Sequence, residues 1–302
     1  MPTIEHGEIL EVDGWYEIQQ LDYEVYAIGE PKHQEEVFSY LIKGTEKDLL
    51  IDTGMGVFPI THALEKIRNS SKELIVVNSH WHFDHIGGNK YFDNVLVPRN
   101  IEEVTGLLKG WSHEDLKKYS FFDLFNKNGE STIPTEFDID NFSIAGCRNI
   151  EPILKDDYII NLGDRIISVI ETPGHTSGSL SFFDETNGLL FTSDLLYEGP
   201  LYAFDYKESN PDQYLKSLKK VKKNLGSFIK TIHPGHNYTD NKYEPYLLED
   251  AIKLFTMAKK KRGPDNISLE FPNVVEYKAV GLSRRNGHRR LSVLVSSNYI
   301  NE

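Results

Sequence analysis

Short apolar segments separated by glycines and charged turns dominate the first part of the chain. Runs rich in β-branched and aromatic residues lie at Tyr23–Ile28, Val37–Ile42 and Leu49–Ile51, and they predict strands of a sheet. Residues Ile60–Ile67 repeat apolar positions at helical spacing, whereas Leu74–Val77 is a compact apolar run typical of a buried strand. The first block is therefore predicted to be a sheet with an intervening helix.

The middle of the chain is less regular. A helical pattern runs from Pro98 to Leu108, and the segment from 110 to 146 then carries aromatic residues with no clear strand partner. We interpret residues 110–146 as an insertion of helical and aromatic character. Its aromatic side chains would cover an apolar substrate chain as a lid, form a dimer interface, or make a local mini-core. They are Trp111, Tyr119, Phe121 and Phe122.

A second block of strands and helices follows from residue 158. Strands are predicted at Tyr158–Ile160, Arg165–Glu171, Leu180–Phe183, Leu189–Thr192 and Phe228–Ile232, and helices at Gln213–Lys223 and Pro245–Lys261. The Asn-Gly pair in Arg285–Gly287 is a strong hairpin signal between two further strands. Because no linker rich in proline or serine divides the blocks, we expect residues 1–302 to form a single layered α/β domain.

Composition narrows the classes of function. Acidic residues outnumber basic ones by 46 to 33, so the formal net charge is −13 and a nucleic-acid or anionic-membrane surface is disfavoured. The one cysteine, Cys147, excludes an internal disulfide and a zinc site made of cysteines. No run approaches the roughly 18 to 20 apolar residues that span a bilayer, and the N-terminus has no basic leader. We therefore expect a cytoplasmic protein.

Four potential metal ligands fall within six residues directly after the buried strand at Leu74–Val77. They are His80, His82, Asp84 and His85. Alternate positions of extended chain point to the same side, so His80 and His82 can converge on one ion, and the next two can face a second ion where the chain turns. Gly87 and Gly88 let that turn approach neighbouring backbone closely. The alternative, a set of unrelated surface histidines, does not explain this density.

Three later segments each end a strand with a tight turn and a potential ligand. They are Thr172–His175, Phe191–Asp194 and Ile232–His236. Taken singly, each of these segments would be interpreted as an ordinary loop histidine or turn aspartate. With the first cluster they supply five imidazoles and two carboxylates, a set that suits zinc, or iron and manganese.

In this order the segments resemble the metallo-β-lactamase superfamily over roughly residues 35 to 240. The resemblance implies an α/β fold, a four-layer αββα sandwich, with two divalent metal ions at one edge. The first ion would be held by His80, His82 and His175, the second by Asp84, His85 and His236, with Asp194 bridging them. Asp52 would orient a ligand histidine by hydrogen bonding. His233 is the alternative to His236, which is preferred because it follows the Pro-Gly turn, as in the family.

The resemblance also implies a reaction, in which a hydroxide shared by the two ions attacks a small carbonyl substrate and Asp84 or Asp194 accepts the proton. Lactone or ester opening is the first expectation, because the lactonases of the superfamily carry a tyrosine three residues after the bridging aspartate, here Tyr197. Such a phenol would donate a hydrogen bond to the substrate, or Tyr197 simply packs in a loop. Thioester hydrolysis is the alternative, since Gly235–Thr239 is similar to glyoxalase-II-type enzymes.

Other classes fit the sequence less well. β-Lactam and phosphodiester cleavage are less expected, and a binding module without activity would not need every ligand position filled. The partner is expected to be a small-molecule substrate, without nucleic acid or membrane, and a homodimer is left open. The remaining histidines lack a motif context and are predicted to lie at the surface. They are His6, His33, His62, His113 and His288.

Overall fold

The computed structural model describes residues 8–69, 71–204, 209–237, 245–260, 266–267, 274–278, 291–297 and 299. The chain forms two compact units, Met1–Ile167 and Ser168–Glu302. Among the described helices, none combines the length and the apolar character needed to cross a membrane.

The first unit contains most of the strands. They are β1 Ile9–Val12, β2 Tyr16–Gln20, β3 Val25–Gly29, β4 Phe38–Lys43, β5 Lys47–Ile51, β6 Glu73–Val77, β7 Val95–Pro98, β8 Gly110–Trp111, β9 Asn126–Lys127, β10 Glu130–Ser131, β11 Ile144–Ala145, β12 Ile150–Leu154 and β13 Ile159–Asn161. Its helices are α1 Ile60–Ile67, α2 Phe83–Ile86, α3 Ile101–Lys109 and α4 His113–Lys118, with a 3₁₀ turn at Asn89–Tyr91.

An eight-stranded sheet in the order β1–β2–β3–β4–β5–β6–β7–β12 organises this unit. The pairs from β1 to β5 are antiparallel, and those from β5 through β6 and β7 to β12 are parallel. The carboxyl ends of β5 and β6 therefore meet at the same edge of the sheet. Since Ile51 pairs with Val77, the residues after these two strands emerge side by side.

Residues 110–146, which the sequence predicted to be an insertion, contain a small aromatic core within the first unit. Strand β8 pairs with β11, so the two ends of the insertion lie together. Phe121 is fully buried and packs against the rings of Phe125 and Phe142, and Trp111 is 3% exposed. Phe122 is half-buried against His113. Trp111 and Phe121 are therefore placed as a local mini-core requires.

The second unit is built from two sheets and two long helices. Its elements are β14 Ile166–Glu171, β15 Leu180–Asp184, β16 Leu189–Ser193, β17 Pro200–Tyr202, β18 Thr231–Pro234, β19 Asn266–Ile267, β20 Val274–Lys278, β21 Ser292–Ser296, α5 Pro211–Leu225 and α6 Tyr246–Lys259. In one sheet the strands of this unit have the order β14–β15–β16–β18, and the unit begins inside β14. The other has the order β17–β21–β20–β19. Strands β16 and β18 are parallel, so their ends lie at one edge.

Three sequence predictions need comment. The strand predicted at Phe228–Ile232 is present but lies further along the chain, because Phe228 is in the turn after α5 and is 65% exposed, and the strand begins at Thr231. The surface position predicted for His33 is also wrong, because this residue is 1% exposed and packs against Phe121. The Arg285–Gly287 turn, His6 and His288 lie outside the described residues, although the strands that flank the turn, β20 and β21, do pair antiparallel.

Candidate metal centre

The first unit presents a buried cluster of imidazole and carboxylate groups just beyond the end of β6. His80, His82, Asp84 and His85 are all at most 5% exposed. The ring of His80 lies 4.6 Å from that of His82 and 4.2 Å from that of His85, measured between centroids. Asp84 Oδ2 lies 3.4 Å from His85 Nε2. These four side chains therefore lie close together within this unit.

Asp52 is buried in contact with this cluster. It follows β5 directly, and its backbone has a φ of 60°. Asp52 Oδ2 accepts a hydrogen bond from His85 Nδ1 at 2.9 Å, and its carboxylate also accepts from the backbone N–H and the hydroxyl of Ser79 at 2.7 Å each. Because Nδ1 of His85 donates to Asp52, the lone pair of the neutral ring is on Nε2, the nitrogen beside Asp84.

Buried amides hold the loop that follows. Asn89 Nδ2 donates to Asn78 Oδ1 at 2.8 Å, and Asn78 Nδ2 donates to the His85 carbonyl at 3.3 Å. A Cβ atom on Gly87 would lie 2.1 Å from the Met55 carbonyl carbon, so only glycine allows this contact between backbones. The close approach predicted for this glycine is confirmed, and it presses the loop after α2 against the loop after β5.

Trp81 fixes the motif from its other side. Its ring stacks on Trp111 with centroids 4.8 Å apart and planes 13° apart, and Trp111 Nε1 donates to the Trp81 carbonyl at 3.2 Å. Gly106 of α3 packs on the same indole, since a Cβ atom there would lie 2.4 Å from Trp81 Cδ2. The two histidines that flank Trp81 are thus attached to an indole held between a helix and the insertion.

The second unit carries a cluster of its own, made of His175, Asp194 and His236. Asp194 bridges the two imidazoles, with Oδ2 3.1 Å from His175 Nε2 and Oδ1 3.1 Å from His236 Nε2. All three are buried at 5% or 6% exposure. His175 Nδ1 lies 3.1 Å from the Tyr202 carbonyl and donates to it, so Nε2 carries the lone pair. The three loops predicted from the sequence therefore meet in this unit.

Two neighbours of this cluster were left open by the sequence. The ring of Tyr197 packs edge-on against His236 at 5.1 Å, and its hydroxyl donates to the Pro200 carbonyl at 2.8 Å. His233 lies inside β18 and stacks on Phe191 at 5.0 Å. Among the described residues, His236 belongs to a group of side chains that could hold a metal ion, and His233 does not.

Sequence reasoning missed two buried residues beside these clusters. Glu30 follows β3 and is 2% exposed, and its oxygens accept from Trp15 Nε1 at 2.6 Å and from the Met55 N–H at 2.9 Å. Tyr214 is on the apolar face of α5 and is fully buried. A carboxylate directly after the apolar run of β3 was the one available signal for Glu30, and nothing in the sequence singles out Tyr214.

A match to a known family decides what these clusters belong to. The sequence model of the metallo-β-lactamase superfamily matches residues 34–236, which is more than half of the chain. The chain belongs to the metallo-β-lactamase superfamily. The match includes every predicted ligand in both clusters. The protein is accordingly a hydrolase of this superfamily, as the sequence predicted.

Known members of the superfamily resemble the chain at modest identity. The human acyl-coenzyme A thioesterase MBLAC2 is 29% identical over 210 residues, covering 65% of this chain and 71% of that protein. The N-acyl homoserine lactonase AiiA of Bacillus thuringiensis subsp. kurstaki is 25% identical over 242 residues, covering 68% and 83%. A metallo-β-lactamase from Pontibacter korlensis superposes with a TM-score of 0.57 at 15% identity, covering 80% and 99%. The predicted metallo-β-lactamase fold is thereby confirmed.

The donor sets of the two clusters suit transition-metal ions. In each unit imidazole nitrogens lie beside carboxylate oxygens in buried surroundings, and Zn²⁺, Mn²⁺ and Fe²⁺ all accept such ligands. Both clusters also have a hydrogen bond that fixes the tautomer of a histidine, Asp52 on His85 and the Tyr202 carbonyl on His175. The chain therefore has His and Asp groups that could hold metal ions.

Proposed function

We propose that the seven side chains together hold two divalent metal ions, most simply Zn²⁺, in an enzyme that hydrolyses acyl thioesters. The observation that carries the proposal is the pair of buried clusters, each with a carboxylate against imidazole Nε2 atoms, in a chain of this superfamily. Two such ions lower the pKa of bound water and polarise a substrate carbonyl. The similarity to acyl-coenzyme A thioesterases supports a thioester as the substrate class.

The chain's own residues would have separate tasks in this reaction. Asp52 holds a proton of His85 on Nδ1 and so leaves Nε2 to face an ion, and the Tyr202 carbonyl does the same for His175. Asp84, at the start of α2, offers a carboxylate oxygen that can take the proton from the attacking water. Water adds to the carbonyl carbon and the carbon–sulfur bond breaks, so that the products are a carboxylic acid and a thiol.

Lactone opening is the second candidate, favoured by the position of Tyr197 three residues after Asp194. Its ring contacts His236, which places a phenol beside this cluster. However, the Tyr197 proton is already donated to the Pro200 carbonyl. Donation to a substrate would require that hydrogen bond to be exchanged, and for this reason we rank the lactone below the thioester.

A hydrolysis panel tests the proposal. The full chain, loaded in turn with Zn²⁺, Mn²⁺ and Fe²⁺, would be given an acyl-coenzyme A, an acylglutathione, an acyl-homoserine lactone, a simple ester, a β-lactam and a phosphodiester. We expect kcat/KM for a thioester to exceed that for the lactone by at least about tenfold, a difference of about 1.4 kcal/mol in transition-state stabilisation. Asp194→Ala, which removes the carboxylate between His175 and His236, is the inactive control.

The alternatives predict different outcomes of the same panel. Faster lactone turnover that Tyr197→Phe slows, without loss of metal, would favour the second candidate. Turnover of the phosphodiester alone would refute carbonyl hydrolysis. No turnover of any substrate by metal-loaded protein would indicate a binding module.

A further inference from the structure

Helix α5 holds the loop that carries His175. Ser217 Oγ donates to the Pro173 carbonyl at 2.6 Å, and the Asn210 N–H donates to the Gly174 carbonyl at 2.8 Å. Ser209, just before the helix, donates through Oγ to the His175 carbonyl at 2.7 Å. Three consecutive carbonyls of the loop thus accept hydrogen bonds from the helix or from the two residues just before it.

The backbone of this loop packs directly against the backbone of α5. Gly174 has a φ of +150°, and a Cβ atom on it would lie 2.3 Å from the Tyr214 Cα atom. Loop and helix backbones therefore touch directly, without an intervening side chain. A shift of α5 along its axis would move His175 with it.

The same turn of α5 also holds the loop that carries Asp194. The Tyr214 hydroxyl lies within hydrogen-bonding distance of the backbone carbonyls of Asp194 and Leu195, the latter at 2.9 Å, and its one proton is shared between them. Its ring stacks on Phe255 of α6 with centroids 4.4 Å apart, so the phenol cannot swing away.

We propose that Tyr214 is a positioning residue, which fixes the Asp194 loop to the helix that holds the His175 loop and so sets the distance between these two ligands. The assignment rests on the proposed function, because it presumes that His175 and Asp194 bind metal. The Tyr214 hydroxyl binds the backbone of the Asp194 loop, so it acts on the position of the loop. Its effect would be preorganisation, since residues that orient metal ligands typically change metal affinity by about 10-fold to 100-fold.

Tyr214→Phe tests the assignment, because it removes one hydroxyl and keeps the ring stack. Tyr299→Phe is the matched control, since the Tyr299 hydroxyl binds the same helix through Asp212 Oδ1, at 2.8 Å, away from both loops. Metal affinity would be measured on the full chain by competition with a chromophoric chelator, and ligand geometry from the visible absorption of the Co²⁺ form. We expect Tyr214→Phe to weaken affinity by about 10-fold to 100-fold and to change the Co²⁺ spectrum. The control should change neither.

The assignment is wrong if Tyr214→Phe lowers the melting temperature of metal-free protein while metal affinity and the Co²⁺ spectrum stay as in the wild type. Should that variant not fold, Ser217→Ala replaces it, because it loosens the His175 loop from the same helix and should weaken metal binding likewise. Wild-type protein that binds Co²⁺ but hydrolyses no thioester would refute the proposed function alone. Wild-type protein that binds no metal would refute both.

Discussion

Glu30 is a carboxyl group in surroundings that disfavour its charge. Burial raises its pKa from 4.5 to about 7 and the charge of Asp84 adds to this, although the hydrogen bonds from Met55 and Trp15 act in the opposite direction. The folded chain therefore holds this proton more tightly than the unfolded chain. Between about pH 4.5 and pH 7 unfolding releases a proton, so the free energy of unfolding falls as the pH rises through this window.

We expect Glu30→Gln to remove this pH dependence in metal-free protein. A shift of this size corresponds to roughly 3 kcal/mol, so the stability of the variant relative to wild type should improve by up to about that amount from pH 4.5 to pH 8. The amide that replaces the carboxyl has one acceptor oxygen for the two N–H donors of Trp15 and Met55, so the variant should be the less stable protein at low pH. Denaturant unfolding at several pH values measures both effects.

The exposed Glu136→Gln is the control for that measurement, and its stability curve should run parallel to that of the wild type. A parallel curve for Glu30→Gln as well would show that the carboxyl does not hold its proton near neutral pH.

Among single residues, the sequence predicted those that belong to a dense local motif. It missed those whose partners lie far away along the chain. His80, His82, Asp84 and His85 are dense enough along the chain to be recognised. Glu30 depends on an N–H group 25 residues away, and Tyr214 on carbonyls 19 and 20 residues away. Such partners are brought together only by folding, and a lone Glu or Tyr in a sequence has many other uses.

At the scale of elements, helix α3 packs against the His-rich motif through Gly106 and Trp81, and a single substitution can test this contact. Gly106 is the contact point with Trp81, and Trp81 cannot retreat because Trp111 stacks on the indole. An alanine in a helix gains about 1 kcal/mol over glycine, but overpacking a close contact costs about 1–3 kcal/mol. The balance between these two terms decides the effect of adding one methyl group.

We expect Gly106→Ala to lower the melting temperature and to weaken metal binding, because displacement of Trp81 moves the two histidines beside it. Thr105→Ala, on the exposed side of the same turn, should keep or raise stability and leave metal binding alone. Calorimetry and chelator competition on both variants provide the measurements. A more stable Gly106→Ala protein with normal metal affinity would show that the indole has room to move.

The bounds of helices and strands were predicted well where the apolar pattern is strong. They were predicted poorly where tertiary contacts determine where an element begins. The bounds of α1 agree with its pattern, since its buried residues repeat at helical spacing. The strand predicted at Phe228–Ile232 instead begins at Thr231, because the turn after α5 extends past Phe228 and the Lys230 N–H binds the Gly188 carbonyl. His33 is buried rather than at the surface because its Nε2 binds the carbonyl of Phe121, which lies 88 residues further along the chain.

At the scale of the whole molecule, the order of ligand segments was enough to predict the family, while the substrate was not predictable. Each segment of predicted ligands comes shortly after the end of a strand. The family match covers all of these segments, from residue 34 to residue 236. Substrate choice depends on side chains around the clusters, which differ among superfamily members that share one fold. The thioesterase and lactonase relatives, at 29% and 25% identity, show this divergence.

Metal removal should destabilise the whole chain, because it takes positive charge away from buried carboxylates in a protein of net charge −13. Elemental analysis of metal-supplemented protein should find close to two transition-metal ions per chain. Binding to the folded state alone stabilises by about 4 kcal/mol when free metal exceeds its dissociation constant about a thousandfold, so EDTA should lower the melting temperature markedly. Added Zn²⁺ should restore it, whereas Mg²⁺ should not, since Mg²⁺ prefers oxygen ligands and the clusters are mostly imidazole. A melting temperature that neither EDTA nor Zn²⁺ moves, in protein without bound metal, would mean that the buried histidines and aspartates are held by each other rather than by ions.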